Sequence, residues 1–227
     1  MNLTLLQAAT NPIVKGEKTT FMEIIGDMGT IGIIVMVIIF LLSLIAVFIF
    51  FERYFRIKKA ASIDPKFMNN IRDYVAHGNI AAAKDLCRRS DTPVARMIEK
   101  GIQRIGKPLK DISTSIENVG NLELFKLEKG LSTLATISGA APMLGFLGTV
   151  TGMINAFFQL SVSGNNIDPT LLAGGIYEAM LTTAAGLAVG IVSYIGYNWL
   201  VTLVEKVVFK MEASTVEFID LLQEPAK

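Results

Sequence analysis

The sequence predicts an all-α integral membrane protein with three transmembrane helices and long helices extending into the cytoplasm. Of 227 residues, 52% are hydrophobic and only 18% charged, too apolar for an ordinary soluble domain yet too polar for a chain buried in lipid throughout. Three stretches without Asp, Glu, Lys or Arg, at 28–51, 130–167 and 179–204, exceed the roughly 20 residues a helix needs to cross the hydrocarbon core. The polar segment between the first two carries helix punctuation and reads as short helices, not strands.

Residues 1–27 lack the basic start and apolar core of a cleaved leader, so the first apolar run, 28–51, is expected to stay as an anchor. It ends against Glu52, Arg53, Arg56, Lys58 and Lys59. From Glu52 to Lys129 the chain holds 16 Lys and Arg against 10 Asp and Glu, whereas residues 1–27 hold Lys15 and Lys18 against Glu17, Glu23 and Asp27. The positive-inside rule then places 52–130 in the cytoplasm and 1–27 in the periplasm. The basic cluster serves either to fix this orientation or to bind anionic lipid headgroups.

Within 52–130, Asp64-Pro65, Gly78-Asn79, Asp91-Thr92-Pro93 and Lys107-Pro108 look like helix caps and first-turn prolines. From Asp111 no strong breaker intervenes before Pro142, so one helix is expected to run from the cytoplasm into the membrane, with a kink at Pro142. The second transmembrane helix is assigned to 131–161, a periplasmic turn to 162–173 and the third transmembrane helix to 174–204. Tyr194, Tyr197 and Trp199 form an interfacial aromatic belt near its end, and Lys206 and Lys210 open a cytoplasmic tail at 205–227.

The second and third helices form a hairpin rich in small residues. Lipid leaves little hydrophobic drive between helices, so close association relies on small side chains that let backbones approach. Ala141, Gly145, Gly148, Gly152 and Ala156 fall at spacings of three or four, and Gly186 and Gly190 repeat the pattern on the third helix. Thr149 shares the face of Gly145 and Gly152, and Thr183 that of Gly186 and Gly190. With the turn centred at Asn166, Thr149 lies 17 residues before it and Thr183 lies 17 after it, which puts the two hydroxyls at one depth.

Two readings of the polar residues stand at this point. The threonines back-bond to their own helices, or they line a polar path. Glu178 is an interfacial first-turn acid, or an ionisable group inside the bilayer with a function to match its cost. An ideal helix places Glu178 on one face with Thr182 and Ala185 and turns Thr183 away by roughly 140°.

The net charge of +1 does not suggest nucleic acid, and one cysteine, Cys87, with one histidine, His77, is too few for a conventional metal site. No cofactor is expected. The chain carries no phosphate-binding GxxxxGK[ST] loop, no HExxH and no nucleophile elbow, so an enzyme is not expected either. A solute permease fares poorly because three helices without an evident inverted repeat seldom enclose a midplane site. A non-conducting membrane scaffold stays open.

Two extended segments, A-P-M-L-G-F-L-G-T-V-T-G-M from Ala141 to Met153 and G-I-Y-E-A-M-L-T-T-A-A-G-L from Gly175 to Leu187, resemble the MotA/TolQ/ExbB proton-channel family. Length, helix count and the large cytoplasmic segment resemble its ExbB and TolQ branches, the ExbB branch most. The resemblance covers nearly the whole chain beyond its first 20 or so residues.

The resemblance implies a homo-pentameric helical bundle enclosing the single helix of an ExbD-like subunit. It carries Thr149, Glu178 and Thr183 over as polar channel residues and leaves the role of Thr182 open. Protons would pass from the periplasm by the Glu178 and threonine region to the partner's aspartate, and in the ExbB case the motion would energise a TonB-like protein and outer-membrane uptake. A TolQ-like role in the cell envelope is the implied alternative. Family and topology together predict a multi-pass protein of the bacterial inner membrane.

Overall fold

The computed structural model describes residues 30–162 and 169–223, all helix and short connections among the described residues. Seven helices follow in order: α1 Thr30–Ala61, α2 Phe67–Ala76, α3 Ile80–Ser90, α4 Pro93–Ile102, α5 Leu109–Glu128, α6 Leu131–Val162 and α7 Pro169–Gln223. The amino-terminal segment 1–27 and the turn residues Asn166 and Asp168 lie outside the described residues. Among the described residues, three helical stretches are long and apolar enough to cross a membrane, Thr30–Ala61, Leu109–Val162 and Leu172–Gln223.

α1 is apolar on nearly every side, as a membrane helix must be. Phe40 is 62% and Phe48 72% exposed, while Gly32, Val35, Ile39 and Ala46 form a narrow buried stripe facing α6 and α7. At the basic end of the helix Phe50 and Tyr54 pack on Trp199 of α7 with ring centroids 5.8 and 5.7 Å apart. Just beyond, the Lys210 ammonium donates to the Ala61 carbonyl at 3.0 Å.

The short helices begin at their caps. The Asn79 side chain accepts from the Ala82 amide at 3.2 Å and the Thr92 hydroxyl from the Ala95 amide at 3.3 Å, each satisfying one orphan donor of a first turn. Pro93 then occupies a first-turn position, where its missing N–H costs nothing. α4 is the keystone of this polar layer: Val94, Ala95, Ile98 and Ile102 are at most 2% exposed, packed against Ile112 and Ile116 of α5 and Phe218 of α7.

One expectation is corrected here. The helix does not run unbroken from Asp111 into the membrane: α5 ends at Glu128 and α6 begins at Leu131. Gly130 has φ +86°, a left-handed conformation that ends helices and favours glycine. The buried Arg53 side chain fills the room beside it, donating to the Lys126 carbonyl at 3.3 Å and pairing with Glu52 at 2.8 Å. Pro142 lies inside α6.

α7 runs 55 residues without a break, about 80 Å at 1.5 Å per residue. Its first half packs along α6 and α1, and its second half carries Met211, Phe218 and Leu221 into the polar layer. One rigid rod therefore joins the membrane hairpin to the small helices.

Candidate functional site

The hairpin is built where side chains are missing. A Cβ added at Gly145 would meet the Thr182 carbonyl at 2.8 Å and the Gly186 Cα at 3.2 Å, and one at Gly186 would meet the Ala141 carbonyl at 2.5 Å. Gly152 faces Ala179 at 3.1 Å, Gly148 faces the Thr182 side chain, and Gly190 seats Pro142. Ala141 and Ala156 are buried in the same seam. The seam holds one further glycine, Gly175, whose added Cβ would lie 2.6 Å from that of Ala156. Its signal was present in the sequence: Gly175 stands four residues before Ala179 and eleven before Gly186.

Close approach brings three hydroxyls to the Gly145 level. The Thr149 and Thr183 hydroxyl oxygens lie 3.1 Å apart across the seam. The Thr149 hydroxyl is also 2.6 Å from the Phe146 carbonyl, and that of Thr183 is 2.9 Å from the Gly145 carbonyl. Both threonines are half-buried. Thr182 is fully buried between the helices and donates to Ala179 at 2.8 Å, with Gly145 at 3.4 Å.

Counting protons gives this pair its character. Three oxygen–oxygen contacts join Thr149 and Thr183 to each other and to two carbonyls, but two hydroxyls supply only two hydrogens. When Thr149 donates to Thr183 it releases Phe146, and when Thr183 donates to Thr149 it releases Gly145. In a third arrangement both hydroxyls donate to their carbonyls and the contact between them carries no hydrogen, so one heavy-atom geometry holds three proton arrangements, two of which bridge the pair.

Glu178 stands apart from the pair. Its half-buried carboxylate packs on Gly32 of α1, so closely that a Cβ at Gly32 would lie 2.9 Å from the Glu178 Cδ and run into Oε1. The acid thus sits in the α1–α7 interface, while the threonine pair sits in the α6–α7 seam.

Outside the uncharged stretches 28–51, 130–167 and 179–204, a second polar cluster ties α4 to α5. The Arg96 guanidinium bonds Asp91 and Glu123, each at 2.6 Å, and the Lys126 ammonium bonds Glu123 at 2.7 Å. Burial pushes the Glu123 carboxyl up, but the hydrogen bonds and charges of Arg96 and Lys126 outweigh it and hold the group below the usual carboxylate range. The Cys87 thiol, buried in α3, is pushed up to about 12, chiefly by desolvation and further by Glu99. Sequence spacing missed the Arg96–Glu123 bridge because its partners lie 27 residues apart on different helices.

Comparison with known proteins gives a consistent picture. Residues 89–213 match the family model of the MotA/TolQ/ExbB proton channel family. Over 180 residues the chain is 29% identical to a biopolymer transport ExbB homolog of Methanothermobacter thermautotrophicus, covering 78% of this chain and 63% of that relative. Less than two thirds of that relative's length is therefore spanned. The chain is 26% identical over 189 residues to the biopolymer transport protein ExbB of Neisseria meningitidis serogroup A, covering 77% and 83% of the two. It is 34% identical over 96 residues to the biopolymer transport protein exbB1 of Vibrio cholerae, 42% of each chain.

Proposed function

The chain belongs to the MotA/TolQ/ExbB proton channel family, a proton-channel-type membrane subunit, and from that premise we propose that it works as an ExbB-like motor subunit. In this reading copies of the chain assemble as a homo-pentamer in the inner membrane, with 1–27 in the periplasm and 205–227 in the cytoplasm. The α6–α7 hairpins surround the single helix of an ExbD-like partner, and proton flow drives a TonB-like protein in outer-membrane uptake. A TolQ-like role in the cell envelope is the alternative reading.

The observation that carries the proposal is the Thr149–Thr183 pair at 3.1 Å, half-buried on a seam of small residues. A relay station must accept a proton on one side and give one on the other, and a hydroxyl pair with two bridging arrangements can do so without moving heavy atoms. Thr182, its hydroxyl engaged inside the seam, supports the pair by holding the helices at this distance. Glu178 supplies an acid at the border of the third uncharged stretch and tunes hydration and charge at the outer mouth.

The test is complementation. In cells lacking their own copy, the wild-type chain is expected to restore energy-coupled uptake and to co-purify with the ExbD-like subunit. Glu178→Ala is expected to assemble equally well and to abolish uptake. Normal uptake with the variant, or assembly without such a partner, refutes the reading.

A further inference from the structure

We infer that Gly32 is a positioning residue for the Glu178 carboxylate: its missing side chain is the seat that holds the acid of α7 against α1. The inference rests on the functional reading of Glu178 above and adds the part of the chain that places it.

Gly32 opens the buried stripe of α1, followed by Val35 and Ile39 at spacings of three and four. Its neighbours Ile31 and Ile34 point outward, 54% and 53% exposed. By pattern a branched aliphatic residue belongs at this inward position. Something must need the space.

The seam between α6 and α7 shows what a packing glycine looks like. Gly145 and Gly186 would each place a Cβ against backbone atoms of the opposite helix, so there the backbones themselves meet. Gly32 differs. The three nearest atoms to its added Cβ all belong to one side chain, Oε1, Cδ and Cγ of Glu178, the last two at 2.9 and 3.3 Å. The vacancy is fitted to a carboxylate, not to a helix.

A carboxylate among apolar helices is costly wherever it lies, and its flexible side chain would otherwise move toward the nearest water. A seat on bare backbone fixes its rotamer and binds its position to that of α1. Any methyl group at residue 32 must push the carboxylate out along α7. A shorter acid would leave room for that methyl.

The experiment measures proton flux in vesicles holding the full chain and its ExbD-like partner, per assembled complex. Gly32→Ala is expected to lower flux about tenfold or more, the scale on which a displaced functional group loses rate. Glu178→Asp, one methylene shorter, should restore flux to Gly32→Ala, a size rescue that a general packing defect would not give. As a check independent of flux, Gly32→Cys combined with Glu178→Cys should cross-link within one chain on oxidation of the assembled complex.

Wild-type flux in Gly32→Ala, no rescue by aspartate, or no cross-link would each overturn the seat. If Glu178→Ala itself keeps wild-type flux, the role of the acid fails instead, whatever residue 32 does.

Discussion

Thr149 and Thr183, 34 residues apart in the chain, bring their hydroxyl oxygens to 3.1 Å across a seam where Gly145 and Gly186 let two backbones meet. The contact depends on the glycines in a direct way. The Thr183 hydroxyl reaches the Gly145 carbonyl at 2.9 Å only because no side chain stands between the helices at that level.

Removing either hydroxyl without changing shape should stop the exchange of hydrogens. Thr149→Val and Thr183→Val are each expected to lower proton flux in reconstituted vesicles by about tenfold or more, within the range a positioned proton donor contributes. Thr149→Ser and Thr183→Ser keep the oxygen and should retain most of the flux. A pH-sensitive dye inside the vesicles reads the difference, and valine variants as fast as wild type would remove the pair from the path.

Gly186→Ala should loosen the hairpin itself. Its new Cβ would lie 2.5 Å from the Ala141 carbonyl and 3.0 Å from the Gly145 Cα, atoms that cannot rotate away, and overpacking of this kind costs about 1–3 kcal/mol. Gly139→Ala is the control, since nothing lies within 4 Å of its added Cβ and alanine is the better helix former. Melting in detergent should fall for the first and hold or rise for the second.

Cys87 should be inert. Its side chain is 1% exposed and burial raises its thiol to about 12, so thiolate is scarce in the folded chain near neutral pH. Because the folded value lies above the ordinary one, the folded state holds this proton more tightly and loses stability as pH rises from about 9 toward 12. A maleimide at neutral pH is expected to label the unfolded chain far faster than the folded one, and equal rates would contradict the burial.

Much of the hairpin was legible in the sequence because lipid removes the usual reason for helices to associate. Small residues at spacings of three and four then mark the contact face, and helix geometry fixes which threonines share it. Other features escaped for identifiable reasons. Gly130 sits between two helical patterns, and a lone glycine there reads as tolerable until its φ of +86° is seen. The seat of Glu178 joins α1 to α7, so no local spacing contains it. The 55-residue length of α7 was hidden because Lys206 and Lys210 mark a membrane edge without ending the helix.

Glu123 tests whether the polar layer is held by charge. Its side chain is 5% exposed and accepts from both Arg96 and Lys126, so Glu123→Gln leaves two cations facing a neutral amide in a mostly buried corner. Arg96 keeps Asp91 and part of its hydration, which limits the loss to about 1–3 kcal/mol, below that of a fully buried pair. The sign of the pH dependence follows from the depressed carboxyl of the folded state. Its contribution is fully present above the ordinary glutamate range near about 4.3 and is lost as pH falls through the lower folded value. Wild type and Glu123→Gln, melted side by side in detergent, should therefore differ most near neutral pH and converge on acidification. A gap that stayed constant to low pH would show that the amide fails for reasons of shape, and that the Arg96–Glu123–Lys126 bridge contributes little as charge.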